Sequence, residues 1–282
     1  MYRDTKIKFM FLLPAAIWVL AFTIFPLLYG LRLSLFNVKI GFPDEFVGFR
    51  NYIHIVKDAN ALHAFMVTLI FVGAGVTIEI ILGMLFALLF NRPMPGRGLL
   101  RTIMTMPLFA TPIAVGFLFI TIFYEEGGLV NGILHVKIPW LSTYFWALFS
   151  VIIVDIWQWT PFCFLIFLAA LQGVPNDYYE AAMLETKSKW QVFWHITFPV
   201  IQPTIILVLL LRITEAFKVF DIPYTMTGGG PGNATQVLTM YAFRVGFRFF
   251  NFGYASAISF VLFLIVMFII MTLFKRIREV YQ

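Results

Sequence analysis

Apolar residues in this chain come in long unbroken runs, not in alternation. Six runs, at about 9–35, 65–90, 103–124, 144–171, 200–220 and 254–274, match the roughly 20 residues that a helix needs to cross about 30 Å of hydrocarbon. A membrane barrel would instead alternate over segments of roughly 10 residues. Continuous runs predict helices, because a helix satisfies its own backbone polar groups in lipid. The polar connections are uneven. The stretch 36–64 mixes Pro43, Asp44, Glu45, His54, Lys57 and Asp58 and is long enough for a small folded structure. Asn91-Arg-Pro-Met-Pro-Gly-Arg-Gly98 reads as a turn. Later connections contain Glu125-Glu-Gly-Gly128 and Thr227-Gly-Gly-Gly-Pro-Gly-Asn-Ala-Thr235. Pro14, Pro26, Pro107, Pro112 and Pro161 lie within or at the ends of runs, where a missing backbone donor kinks a helix. With no internal repeat and no low-complexity tract, the pattern predicts a single membrane domain over 1–282.

One polar interruption, 180–203 between the fourth and fifth runs, keeps a helical pattern of its own. Asn176-Asp177 suits a cap for a helix starting at Tyr178. Tyr179, Ala182, Met183 and Thr186 then fall at helical spacing, and Trp190, Phe193, Trp194 and Ile196 extend an apolar set to Pro199. One reading is an interfacial helix with its tryptophans at headgroup depth. The other is a surface that receives force from a soluble partner.

Composition agrees with the runs. Hydrophobic residues make up 61% and charged residues 12%, against roughly a quarter charged in soluble domains. The first run is too long for a signal peptide, contains Pro14 and Pro26, and leads to no small-residue cleavage pattern, so it reads as a retained helix. Cys163 is the only cysteine, which rules out an intrachain disulfide. With both termini inside the cell, the inner flanks hold Arg3, Lys6, Lys8, Arg92, Arg97, Arg101, Lys187, Lys189, Lys275, Arg276 and Arg278. The outer connections hold Arg32, Lys39, Arg50, Lys57, Lys137, Arg244 and Arg248. Eleven against seven favours that orientation. The net charge of +6 is then a topology signal, and no basic stripe with RNA-type aromatic motifs suggests a nucleic-acid partner.

Charged residues at bilayer depth cost about 2.5 kcal/mol or more each, so they face a partner or a cavity. Run five carries Arg212, Glu215, Lys218 and Asp221, alternating in sign at steps of three, which on a continuous helix forms a ladder of neighbours. Arg212 lies ~18 Å from Val200, and Asp155 ~16 Å from Tyr144, at 1.5 Å per residue, so both approach mid-membrane. Glu79 is expected deeper toward the inner side. The ladder reads either as ion pairs fastening helices or as a polar path, with Trp157, Trp159 and Phe217 either packing ordinarily or offering faces to a sugar ring. His54, His63, His135 and His195 show no metal-ligand spacing. Neither a Gly-x-Ser-x-Gly element nor a phosphate loop is present.

Glu180-Ala181-Ala182, an acidic Glu185, then Trp190, Phe193, Ile196, Pro199 and Pro203 resemble the EAA loop of binding-protein-dependent ABC importer permeases. Glu215-Ala-Phe-Lys-Val-Phe-Asp-Ile-Pro-Tyr and the Thr-Gly-Gly-Gly-Pro loop are similar to the fifth span and outer loop of the carbohydrate branch, maltose-type first permease subunit. So are Tyr241, Arg244, Phe247 and Gly253-Tyr-Ala-Ser-Ala257. The resemblance covers essentially the whole chain. It implies an all-α, polytopic membrane protein with six transmembrane helices of the type I ABC importer permease kind. It also implies ATPase coupling through Glu180, Ala181, Ala182, Glu185 and Thr186 within a cytoplasmic segment 176–199, and a substrate pathway of Asp155, Trp157, Arg212, Glu215, Ala216 and Val219. The family pattern usually has glycine at Thr186 and a small residue at Lys187. A β-branched residue is strained at φ > 0, so the turn is more helical here or the ATPase groove differs.

The implied function is a channel-forming subunit of an ATP-driven importer of a sugar, polyol or sugar phosphate. It would lie in the inner membrane of a prokaryote and bind no cofactor or metal itself, with ATP held by a partner. The implied partners are a second permease subunit in a heterodimer, a cytoplasmic ATPase dimer, an extracytoplasmic sugar-binding protein and membrane lipid. The chain itself is then not an enzyme. The alternatives are an ion-coupled secondary transporter using Asp155 or Glu215, which would favour matching halves that the sequence lacks, and an intramembrane enzyme, which would need a nucleophile–base pair or metal cluster.

Overall fold

The computed structural model describes residues 2–186 and 188–280, with the side chains of all but 2–9, 176, 183–185 and 276–280. Several basic flank residues, Lys187 among them, therefore lie outside the described side chains, as does the Glu185 carboxylate. In chain order, α1 (Tyr2–Val19) passes through a π turn (Leu20–Ile24) into α2 (Phe25–Ser34). A hairpin of β1 (Phe36–Asn37) and β2 (Glu45–Phe46) leads to α3 (Arg50–Lys57) and α4 (Ala59–Phe90). Next come α5 (Arg97–Thr105), a 3₁₀ turn (Met106–Phe109), α6 (Pro112–Ile122), α7 (Leu129–Leu134), α8 (Tyr144–Gln172) and α9 (Asn176–Glu185). The remainder is α10 (Lys189–Val192), a π turn (Phe193–Thr197), α11 (Phe198–Phe217), α12 (Asp221–Thr227), α13 (Leu238–Phe243), a π turn (Arg244–Arg248) and α14 (Phe252–Val280).

Among the described residues, five helical stretches are long and apolar enough to cross a membrane: Met10–Ser34, Ala59–Phe90, Tyr144–Gln172, Lys189–Phe217 and Phe252–Lys275. The third run, expected as one helix over 103–124, is instead two pieces, Arg97–Phe109 and Pro112–Ile122, meeting at 103°. Thr111 is extended at ψ 141, the conformation that a following proline imposes, and Pro112 opens the next helix. Counting this bent pair as one span makes six. The fifth run also departs from its expected 200–220, because α11 ends at Phe217 and Asp221 starts a separate helix. The helix expected from Tyr178 begins earlier, at Asn176, after Pro175 and without a side-chain cap.

Proline explains two of the π turns. Pro26 and Pro199 each lack the N–H that would close a normal turn. The ladder widens just upstream, with Phe25 N–H donating to Leu20 O and Phe198 N–H to Phe193 O.

The chain forms two compact units. One comprises the residues up to Leu62 with Tyr241–Leu264. Here residues 36–62, nearly all of the stretch expected to fold on its own, form the hairpin, α3 and the start of α4. Asn51 Nδ2 donates to Ser34 O (2.9 Å) and Phe36 O (3.0 Å), and the Ser34 and Tyr52 hydroxyls share a bond of 2.6 Å. Gly253 N–H donates to Val38 O, and a Cβ on Gly253 would lie 2.1 Å from Phe36 O, so only glycine fits. Asp58 accepts from the Tyr254 hydroxyl (2.7 Å), the Tyr241 hydroxyl and Asn60 N–H (2.9 Å). Burial alone would raise the Asp58 carboxyl, but these hydrogen bonds outweigh it and hold the group below its ordinary value of 3.8. The Tyr241 phenol is pushed up, first by burial and then by the Asp58 carboxylate. No residue in the apolar window within Met10–Ser34 is buried by the chain, so this helix is left for lipid or another subunit to cover.

The second unit comprises His63–Met240 and Ile265 onward. Its main core joins Phe90 of α4, Phe164, Phe167, Leu168 and Leu171 of α8, and Ile201 and Val208 of α11. Each such side chain contributes about 1.5–3 kcal/mol when taken out of water. Part of that gain is absent for a chain already in lipid. A smaller cluster of Val67, Val237 and Met240 lies beside Leu238 N–H, which donates to Thr68 Oγ1 at 2.8 Å.

Candidate functional site

Three charged side chains from three spans meet in the apolar interior of the second unit. Arg212 of α11 donates from Nε to Glu79 Oε2 (2.6 Å) and from Nη2 to Glu79 Oε1 (2.9 Å), a bidentate fork onto α4. Nη2 also donates to Asp155 Oδ2 of α8 at 3.2 Å. Trp159, one turn beyond Asp155, lies under the guanidinium with its ring centre 4.7 Å from Cζ. The three charged side chains are 0–3% exposed. Burial at this depth is tolerable because each charge has an opposite partner.

Glu79, expected deeper toward the inner side, brings its carboxylate to the same guanidinium as Asp155. The ladder along run five is not one continuous row of neighbouring pairs. Arg212 turns inward to other helices, whereas Glu215 and Lys218 pair with each other at 2.7 Å with side chains 54% and 53% exposed. An exposed pair of this kind is worth about 0–1 kcal/mol. Lys218 closes the helix, and Asp221 sits in the first turn of α12.

A cavity of ≈ 180 Å³ opens beside the triad, lined by Asp155, Trp159, Arg212, Glu215, Ala216 and Val219, with Pro112 at the break of the third span and Asp221 at the start of α12. The structure thus brings together five of the six side chains expected along a path. The sixth, Trp157, is 40% exposed and packs edge-on against Phe119, away from the cavity. Trp159 takes its place, because residues four apart on a helix share a face and Asp155 already points inward. The same α8 face holds Gln158, whose Nε2 donates to Ala110 O (3.0 Å), a carbonyl left free where the third span breaks.

The segment 176–199 is built on the same core. Ala182 is buried, and Tyr179 packs against the α4–α8–α11 cluster and accepts from Thr197 Oγ1 at 3.4 Å. Glu180 and Ala181 face outward, so two of the three leading residues are free to meet a partner and Ala182 is turned to the chain's own core. Thr186 is neither left-handed nor helical. It is extended at φ −149, ψ 144, a conformation that a β-branched residue favours, so the glycine expected there is not needed. Its hydroxyl donates to Gln191 Oε1 and accepts from Ser188 N–H (3.1 Å), and Ser188 caps α10. From Lys189 the helix runs to Phe217 through one π turn and Pro203, ending at the cavity. Trp190 and Trp194, ring centres 5.6 Å apart, remain exposed on its first turns.

Comparison with known proteins covers nearly the entire chain. Residues 79–279 match the family described as the binding-protein-dependent transport system inner membrane component. The trehalose/maltose transport system permease protein MalF of Thermococcus litoralis is 37% identical over 94% of this chain and 92% of its own length. The trehalose transport system permease protein SugA of Mycobacterium tuberculosis is 33% identical over 92% and 85%. A chain of the bacterial alginate ABC transporter, crystallised with an alginate pentasaccharide-bound periplasmic protein, shares the fold with a TM-score of 0.84 at 24% identity, over 97% of this chain and 95% of that one.

Proposed function

The chain belongs to the binding-protein-dependent transport system inner membrane component family, and from that premise we propose that it is the channel-forming permease subunit of an ATP-driven sugar importer. Relatives named for trehalose and maltose transport support the carbohydrate reading. The observation that carries the mechanism is the continuous helix Lys189–Phe217, which leads from the exposed segment around Glu180 to the cavity beside Arg212.

In this mechanism a cytoplasmic ATPase dimer docks on Glu180 and Ala181 of α9. Tyr179 and Ala182 fasten α9 to the core, so a pull on it is delivered to α11 instead of being lost in a loose loop. The helix moves the Arg212 side of the cavity relative to the break at Ala110 and Thr111, where an already bent span absorbs a change of angle at low cost. Alternation between openings to the two sides follows. A second permease subunit completes the pathway, and an extracytoplasmic binding protein delivers the substrate. ATP is bound and hydrolysed by the ATPase, so this chain positions and transmits but performs no covalent chemistry. Membership of this family does not favour the ion-coupled alternative.

The test uses vesicles holding the chain with its second permease, ATPase and binding protein. Glu180→Lys is expected to lower substrate-stimulated ATP hydrolysis at least tenfold, because it places a cation where a basic groove would meet a carboxylate. Undiminished stimulation removes Glu180 from the coupling surface.

A further inference from the structure

The cavity beside the triad carries more negative than positive charge. Its lining includes the carboxylates of Asp155, Glu215 and Asp221 against the cations Arg212 and Lys218, and the Glu79 carboxylate stands directly behind Arg212. Neither cation is uncommitted. Arg212 gives Nε and Nη2 to Glu79 and Asp155 and lays its face on Trp159. Lys218 is held by Glu215 at 2.7 Å. An anionic ligand would meet surplus carboxylates, whereas hydroxyl groups would find acceptors on Asp221, Glu215 and Asp155.

We propose that this cavity selects uncharged polyhydroxylated ligands on the scale of a single sugar ring and rejects anionic sugars such as uronates and sugar phosphates. The inference rests on the sugar-importer reading and narrows it: sugar phosphates leave the substrate class. It assigns the discrimination to this chain's own residues, independent of whatever selection an external binding protein applies. Rejection comes from unpaired like charge, which acts against the wrong ligand without requiring tight binding of the right one.

The experiment is ligand-observed saturation-transfer NMR on the purified permease–ATPase complex in nanodiscs, without binding protein. The probes are matched pairs: methyl glucoside with methyl glucuronide, and methyl galactoside with methyl galacturonide. The neutral member of a pair is expected to bind at least about tenfold more tightly. In Glu215→Gln and Asp221→Asn complexes the preference should shrink, since each removes one carboxylate from the lining. Glu215 is more than half exposed, so its variant tests the charge without endangering the fold. Equal or tighter binding of the uronides overturns the inference while leaving a sugar importer in place. A preference unchanged in both variants overturns the assignment to these residues. Saturation transfer to none of the four sugars overturns the sugar reading and the inference together.

Discussion

Asp58 sits where three pieces of one unit meet. It caps the start of α4 through Asn60 N–H and accepts from two tyrosine hydroxyls, 183 and 196 residues away in the chain. The His54 ring lies 4.7 Å from that of Tyr254, and the Arg244 charge acts on Tyr241. The folded carboxyl is held below its ordinary value of 3.8. A depressed carboxyl stabilises the fold above its unfolded value, and that contribution is lost as pH falls through the folded one. Thermal unfolding of the purified protein is therefore expected to ease below about pH 4. Asp58→Asn should unfold more readily at neutral pH and show a flatter acid limb. An acid limb as steep as that of the parent would remove Asp58 as its source. Nothing in the local sequence announces this cluster, because Asp58 reads only as one polar residue among several in the stretch 36–64.

Between elements, the decisive features are close approaches and breaks. A Cβ on Gly116 of α6 would lie 2.7 Å from Thr225 Cβ of α12, so the two short helices touch through the glycine. Gly116→Val is expected to cost about 1–3 kcal/mol by overpacking, read as a lower unfolding temperature in detergent. Because α12 carries Asp221 into the cavity lining, substrate-stimulated ATP hydrolysis should fall as well. Pairing Gly116→Val with Thr225→Ala should recover part of both losses, and no recovery would place the strain elsewhere. The breaks themselves were half legible. Pro112 marked a weak point in the third run, but a proline in a membrane helix is as compatible with a gentle kink as with a bend of 103°. In the fold, Gln158 of a neighbouring helix takes up the Ala110 carbonyl at that bend.

Across the second unit, the triad ties α4, α8 and α11 through residues 133 and 57 apart in sequence. Arg212→Ala leaves two carboxylates buried without their cation and is expected to destabilise the fold by about 3–5 kcal/mol. The triple replacement Glu79→Gln, Asp155→Asn, Arg212→Met removes the charges together and should cost less than the single change. Denaturant unfolding of the two variants in detergent compares them directly. A triple variant less stable than Arg212→Ala would mean that the ion pairs themselves, not the penalty of orphaned charge, hold these spans together.

The sequence by itself determined the class of the protein. Unbroken apolar runs in a chain with few charges can satisfy their backbone only as membrane helices, and the order of residues from Glu180 to Pro203 was enough to point to the family. The same resemblance placed Asp155, Trp157, Arg212, Glu215, Ala216 and Val219 in one candidate path. Only the tertiary structure decided which of these charges are committed. Arg212 and Glu215 look alike as charged residues three apart in one run, yet one is locked to Glu79 in the interior and the other pairs with Lys218 at the surface. It also chose Trp159 over Trp157, gave Thr186 an extended backbone, and ended α11 before Asp221. The physical reason is common to all four. Run length and composition are summed along the chain and survive any packing. The direction in which a side chain points, and the partner it finds there, depend on helix rotation and on neighbours that are far away in sequence.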